Sequence, residues 1–146
     1  MIDLIFVYGS LMSTVPSAAS SWLQQQARLV GEDQVRGYLY DLGQYPGIII
    51  DDSSPDLVKG EVYQLYQVDT GLSYLDAYEG TEIIRPEYER IQCATTAGRL
   101  CWVYQFLWTG PSYSLITSGD YCTYYPTNPH HLAFINRIDA SVQNED

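Results

Sequence analysis

Positive charge is scarce in this chain: Lys and Arg total 7 against 18 Asp and Glu, a formal net charge of −11. The few cations form no run and are not interleaved with aromatics, so the basic stripe that a phosphate backbone demands is missing and no nucleic-acid partner is expected. The acidic residues are spread along the chain rather than gathered in a tail, which reads first as solubility. Histidine is limited to His130 and His131. Adjacent side chains on a helix project about 100° apart and cannot face one ion together, so no metal site is expected. The three cysteines, Cys93, Cys101 and Cys122, are an odd number without CxxC spacing. That pattern argues against a disulfide framework and for reduced thiols in a core. Long apolar runs are absent too: stretches such as Leu4 to Val7 and Gly47 to Ile50 fall far short of the roughly 20 residues that cross a bilayer. No basic segment precedes the first apolar run, which is too short and strand-like for a signal peptide, so a cytoplasmic protein without membrane contact is expected.

What is present fits one domain of 146 residues, large enough to bury its own core. The runs VRGYLYDL, GIII, VKGEVYQLYQV, YERIQCAT and RLCWVYQFLW, rich in Val, Tyr, Ile and Leu and separated by Gly, Pro, Asp and Ser, read as strands. Three stretches read as helices. STVPSAASSWLQQQARL has Thr14 or Ser13 as a cap and Pro16 near the first turn, with Trp22, Leu23 and Ala27 at helical spacing. DTGLSYLDAYEG has Asp69 or Thr70 as a cap, Leu72, Leu75 and Tyr78 on one face, and Gly80 as a stop. NPHHLAFINRIDASV has Asn128 as a cap, Pro129 at the first position, and a stripe of Leu132, Ile135, Ile138 and Val142 over about residues 128–142. One early strand, several antiparallel-looking strands later and helices between and after them predict an α+β domain on a mixed, strongly curved sheet. The 14 tyrosines suit half-exposed strands, where an apolar ring packs and the hydroxyl stays wet.

Two stretches carry chemistry. In FVYGSLM (residues 6–12) an apolar run ends at Gly9 and Ser10. A glycine after a buried strand lets backbone N–H groups approach a ligand without a Cβ in the way. Ser10 bonds a ligand or shapes the turn, and Tyr8 closes a pocket or simply packs. In LDAYEG (residues 75–80) Glu79 stands at the end of a helix. The negative end of the dipole disfavours a charged carboxylate there, and burial would disfavour it further; both raise its pKa. Asp76, Glu82, Glu87 and Glu89 would add to this if they approach it in space. Such a carboxyl can accept and return a proton near neutrality, the property of a general acid/base; the plain alternative is a solvated Glu before a Gly cap. Pro46-Gly47 in QYPGI pre-sets a turn that brings Tyr45 to a cavity rim or merely reverses the chain. Arg90 either pairs with an acid to fix its strand or anchors a substrate carboxylate.

Together, YGSL (8–11), LDAYEG (75–80), Tyr88-Glu89-Arg90 and SGDY (118–121) make the chain, from residue 3 to about 125, resemble the γ-glutamylcyclotransferase-like family, AIG2-like branch. The resemblance implies a compact α+β domain with a small mixed β-barrel, in which the YGSL loop faces a Glu across a cavity. It also implies an enzyme that cyclises a γ-glutamyl amine or amino acid to 5-oxoproline and releases the amine. Glu79 would be the catalytic acid/base, and Tyr8, Gly9, Ser10, Leu11, Tyr45 and Pro46 would bind the small-molecule γ-glutamyl substrate. The substrate's own amine is the nucleophile in that reaction, so no triad, metal or cofactor is called for. A non-catalytic module holding a small ligand or peptide in the same cavity is the alternative. The helix from Asn128 onward is not something the family pattern demands, and GTEIIRPEYER reads as an insertion that reshapes the cavity.

Overall fold

Strand β1 (Leu4–Val7) buries Ile5, Phe6 and Val7 almost completely, as a strand enclosed on both faces does. In this computed structural model, residues 1–79, 87–107 and 113–144 are described, apart from the side chains of Glu79 and 137–144. β1 runs antiparallel to β4 (Leu57–Leu65), β4 to β2 (Ala27–Asp41), and β2 to β3 (Pro46–Ile50). β6 (Leu100–Phe106) then meets both ends of this row, pairing parallel with β3 at Ile48↔Gln105 and with β1 at Ile5↔Trp102. β1, β4, β2, β3 and β6 thus close into a barrel of mixed strands, which leaves the ring no open edge. β5 (Tyr88–Ala94) adds antiparallel to β6, and the two-residue β7 (Ser114–Leu115) pairs with the end of β2.

The expected strands are present, but β2 begins at Ala27 rather than near Val35. Its polar stretch Gly31-Glu32-Asp33-Gln34 hid the first half. A register shift between Leu29 and Gly31 bends the strand there. Asp33 is tolerated in the interior because Arg99 Nη1 donates to it at 2.7 Å and the Gln34 N–H at 2.8 Å. Burial alone would raise its pKa, but hydrogen bonds from Thr95, Gln34, Arg99 and Ala97 outweigh that and hold it below the ordinary value. Cys93 and Cys101 face each other across β5 and β6 in the core; burial pushes their thiols up to about 11 and about 12.

Helix α1 (Ala18–Gln26) starts later than expected, capped by Ser17. Ser13 and Thr14 are occupied elsewhere, bonding Glu61 and Cys122, and Ala27 already belongs to β2. The Ser17 hydroxyl accepts from the Ser20 N–H at 3.1 Å and donates to the Ser10 carbonyl at 2.8 Å. It therefore ties the helix start to the YGSL loop. Ser17→Ala is expected to lower unfolding free energy by about 1–2 kcal/mol, the usual range for a lost cap, as read by urea denaturation. Helix α2 (Val68–Glu79) buries Leu72 and Leu75, and Tyr74 stacks on Trp22 of α1 at 3.9 Å. Its expected stop, Gly80, lies outside the described residues, as do Glu82 and Trp108.

The SGDY segment is structural. Gly119 has φ +64°, and a Cβ there would sit 2.1 Å from the Leu57 carbonyl oxygen; only glycine suits both conditions. Asp120 then caps the short helix α3 (Tyr121–Tyr124), and a 3-10 turn over Tyr125–Thr127 leads into α4 (Pro129–Asn144). The Asn128 side chain accepts from the His130 N–H at 2.9 Å, the cap anticipated from the sequence. The inward face differs from the expected stripe. His131 and Ile135 are buried, whereas Leu132 is exposed, and the side chains of Ile138 and Val142 lie outside the described residues.

Candidate active site

Where β1 ends, Tyr8 reaches both β3 and β6. Its hydroxyl donates to the Tyr104 carbonyl of β6 at 2.7 Å and accepts from the Ile48 N–H of β3 at 3.4 Å. The chain then turns sharply, with the Met12 N–H donating to the Gly9 carbonyl at 3.0 Å. A Cβ on Gly9 would lie 3.1 Å from Pro46 Cγ, so the loop and the β2–β3 turn pack tightly. Among the described residues, nothing accepts a hydrogen bond from the N–H groups of Gly9, Ser10 or Leu11. Three successive amides with no acceptor among the described residues form a ready anion-binding feature.

The residues that carry these amides border a cleft of about 260 Å³. All six residues expected to bind substrate, Tyr8, Gly9, Ser10, Leu11, Tyr45 and Pro46, line it. Glu79 closes helix α2, and its side chain lies outside the described residues. The preceding residue, Tyr78, lines the cleft, its hydroxyl 2.7 Å from Ser10 Oγ. Ser10 thus shapes the loop through Tyr78, and α2 delivers its C-terminal turn to the loop.

The end of α2 is held by an ion pair outside the cleft. Arg90 Nε and Nη2 donate to the two oxygens of Asp76 at 2.8 and 3.2 Å, and the guanidinium lies over Trp102 at 4.5 Å. The Tyr104 hydroxyl donates to the same carboxylate at 2.7 Å. Arg90 therefore fixes helix to sheet. No Lys, Arg or His borders the cleft among the described residues; the positive field that these residues offer an anion is that of backbone dipoles. The carboxylate that does border it, Glu87, accepts from the Tyr45 hydroxyl at 2.6 Å. Tyr88, whose hydroxyl donates to the Pro46 carbonyl at 2.8 Å, pins the β2–β3 turn from the other side.

A barrel with this loop opposite the end of a helix has a known counterpart. The family model described as gamma-glutamyl cyclotransferase, AIG2-like, matches residues 5–123. The chain belongs to this family. It is 36% identical over 124 residues to a Vibrio cholerae protein named "Putative gamma-glutamylcyclotransferase", covering 84% of this chain and 97% of the other. The solution NMR structure of ytfP from Escherichia coli is 34% identical, with a TM-score of 0.61 over 81% of this chain and 95% of that one. A crystal structure of an AIG2-like protein from Mus musculus shares the fold at 20% identity and a TM-score of 0.60, over 75% and 80% of the two chains.

Seven further residues complete the AIG2-like cleft's described wall without having been singled out as site residues: Phe6 and Val7 of β1, and Tyr78, Glu87, Tyr88, Tyr104 and Phe134. Tyr78 had a signal, being next to Glu79 in LDAYEG, and Tyr88 opened a quoted motif. Phe134 had none. It comes from α4, beyond the residues the family model matches. Among the described residues, no helix is long and apolar enough to cross a membrane.

Proposed function

We propose that the protein is a γ-glutamylcyclotransferase that converts a γ-glutamyl amine or γ-glutamyl amino acid to 5-oxoproline and the free amine. The observation that carries this reading is the row of amides at Gly9, Ser10 and Leu11, without protein acceptors among the described residues, bordering a cleft at the end of the helix that bears Glu79. In the reaction the substrate's α-nitrogen attacks its own γ-carbonyl carbon. A ring C–N bond forms, the negative charge moves to the carbonyl oxygen, and collapse breaks the bond to the leaving nitrogen. Glu79 takes the proton from the attacking ammonium and gives it to the leaving amine, so no external reactant is consumed. The amides of the Tyr8–Leu11 loop hold the γ-glutamyl group and face its anionic oxygens, fixed in advance and requiring no reorganisation. The aromatic walls supply contact area and exclude water, as small-ligand clefts commonly do.

The test is incubation with a panel of γ-glutamyl compounds, with 5-oxoproline measured by mass spectrometry. Formation of 5-oxoproline together with an equal amount of free amine is the expected result. Saturable binding with no product would make the cleft a binding module instead.

A further inference from the structure

The C-terminal helix α4 is the part of the chain that neither the family match nor the chemistry above uses, yet it reaches the cleft. Phe134 borders the cavity and packs its ring on Tyr45 at a centroid distance of 5.1 Å. Tyr45 in turn holds Glu87. The amides of Gly9, Ser10 and Leu11 lie on the β1 loop, whereas Tyr45 and Phe134 come from the β2–β3 turn and α4 and present carbon surface.

The helix is anchored as firmly as a wall requires. His131 has no exposed surface, and its ring nitrogens meet the Tyr121 hydroxyl and Asp41, each at 2.8 Å. Asp41 also accepts from the Gly43 N–H at 2.7 Å, from Asn128 Nδ2 at 3.3 Å and from the Tyr124 hydroxyl. One carboxylate therefore joins the β2–β3 turn that carries Tyr45 to the helix that carries Phe134. Ile135, nearly fully buried, adds apolar contact beside it.

We infer that Phe134 is a specificity-determining residue, a side chain contributed by the C-terminal helix that makes apolar contact with the carbon body of the leaving amine. The inference rests on the cyclotransferase reading, in which the loop amides take the γ-glutamyl group and leave the wall formed by Tyr45 and Phe134 to the departing group. A contact of this kind discriminates by size: each methylene held in an apolar site is worth about 10-fold or more in kcat/KM.

The experiment compares γ-glutamylmethylamide, γ-glutamylbutylamide and γ-glutamylbenzylamide, which share the reacting centre and differ only in leaving-group carbon. Wild type is expected to prefer the larger two. Phe134→Ala should cut their kcat/KM by about 10-fold or more while leaving the methylamide within about 2-fold, and Phe134→Leu should fall between. Thermal melts of both variants check that folding survives. Calorimetric titration with γ-glutamylbenzylamide in a Glu79→Gln background, where turnover is suppressed, gives a second readout that does not depend on turnover, with at least the same roughly 10-fold weakening expected on adding Phe134→Ala. An active wild type whose three-substrate ranking is unchanged by Phe134→Ala overturns this inference and leaves the cyclotransferase reading intact. Tight binding by wild type without turnover sinks the cyclotransferase reading, and the titration alone then decides whether Phe134 contacts the ligand. A wild type that neither binds nor turns over any of the three overturns both.

Discussion

Glu79→Gln is expected to fold with an unchanged thermal midpoint and to lose about 10²- to 10⁴-fold in turnover, the usual worth of a positioned proton shuttle. The substitution keeps shape and hydrogen-bonding capacity but removes the ability to accept a proton, so the loss falls on kcat rather than on KM. The competing carboxylates among the described residues are accounted for. Asp76 is taken by Arg90 and Tyr104. Glu89 accepts from Gln105 at 3.3 Å and does not line the cleft. Glu87 alone is a described carboxylate on the cleft wall, and the Tyr45 hydroxyl donates to both of its oxygens. Glu87→Gln is therefore the informative control. It should cost less than 10-fold if Glu87 serves to hold Tyr45; an active Glu79→Gln beside an inactive Glu87→Gln would transfer the proton shuttle to Glu87. Both are read by 5-oxoproline formation under saturating substrate.

Strands β1 to β6 were legible because their runs are rich in Val, Tyr, Ile and Leu and are separated by Gly, Pro, Asp and Ser, and the β1 turn was legible for the same reason. The first half of β2 was not. Its polar residues are satisfied by partners far along the chain, Arg99 to Asp33 above all, and no local pattern announces a long-range ion pair. The cap of α1 was misplaced because Ser13, Thr14 and Ser17 all have capping chemistry; tertiary bonds to Glu61 and Cys122 took the first two out of contention. The cleft followed a similar rule. The residues on the YGSL loop and the Tyr45-Pro46 turn could be named from motifs, since backbone geometry there is written in glycine and proline. Phe134 could not, because its role depends on which face of α4 turns inward. That face is chosen by a polar residue: His131 is buried and the apolar Leu132 is left exposed, the reverse of what hydrophobic periodicity predicts.

Asp41→Ala is the substitution expected to cost most in stability. The carboxylate accepts from four groups, the Gly43 N–H, the Asn128 amide, the Tyr124 hydroxyl and His131 Nε2. An ionised carboxylate only accepts, so His131 Nε2 carries a proton and donates to Asp41. Alanine would strand a fully buried imidazole donor together with the Tyr124 hydroxyl. Breaking one side of a buried, charge-assisted pair typically costs about 3 kcal/mol or more, which corresponds to roughly 10 °C in thermal midpoint for a chain of this size. The same carboxylate sets a pH dependence. Burial pushes its pKa up, but hydrogen bonds from Tyr124, His131 and Gly43 and the charge of His131 outweigh that and hold it below the ordinary 3.8. A carboxyl depressed in the folded state contributes its stability fully above the unfolded value and loses it as pH falls through the folded one. The stabilisation should therefore be intact at neutral pH and disappear only below 3.8. Thermal midpoints followed into that acid range should converge for wild type and Asp41→Asn, since protonation removes from the wild type the charge that the variant already lacks. A gap of the same size at every pH would mean that Asp41 holds the helix by shape rather than by charge.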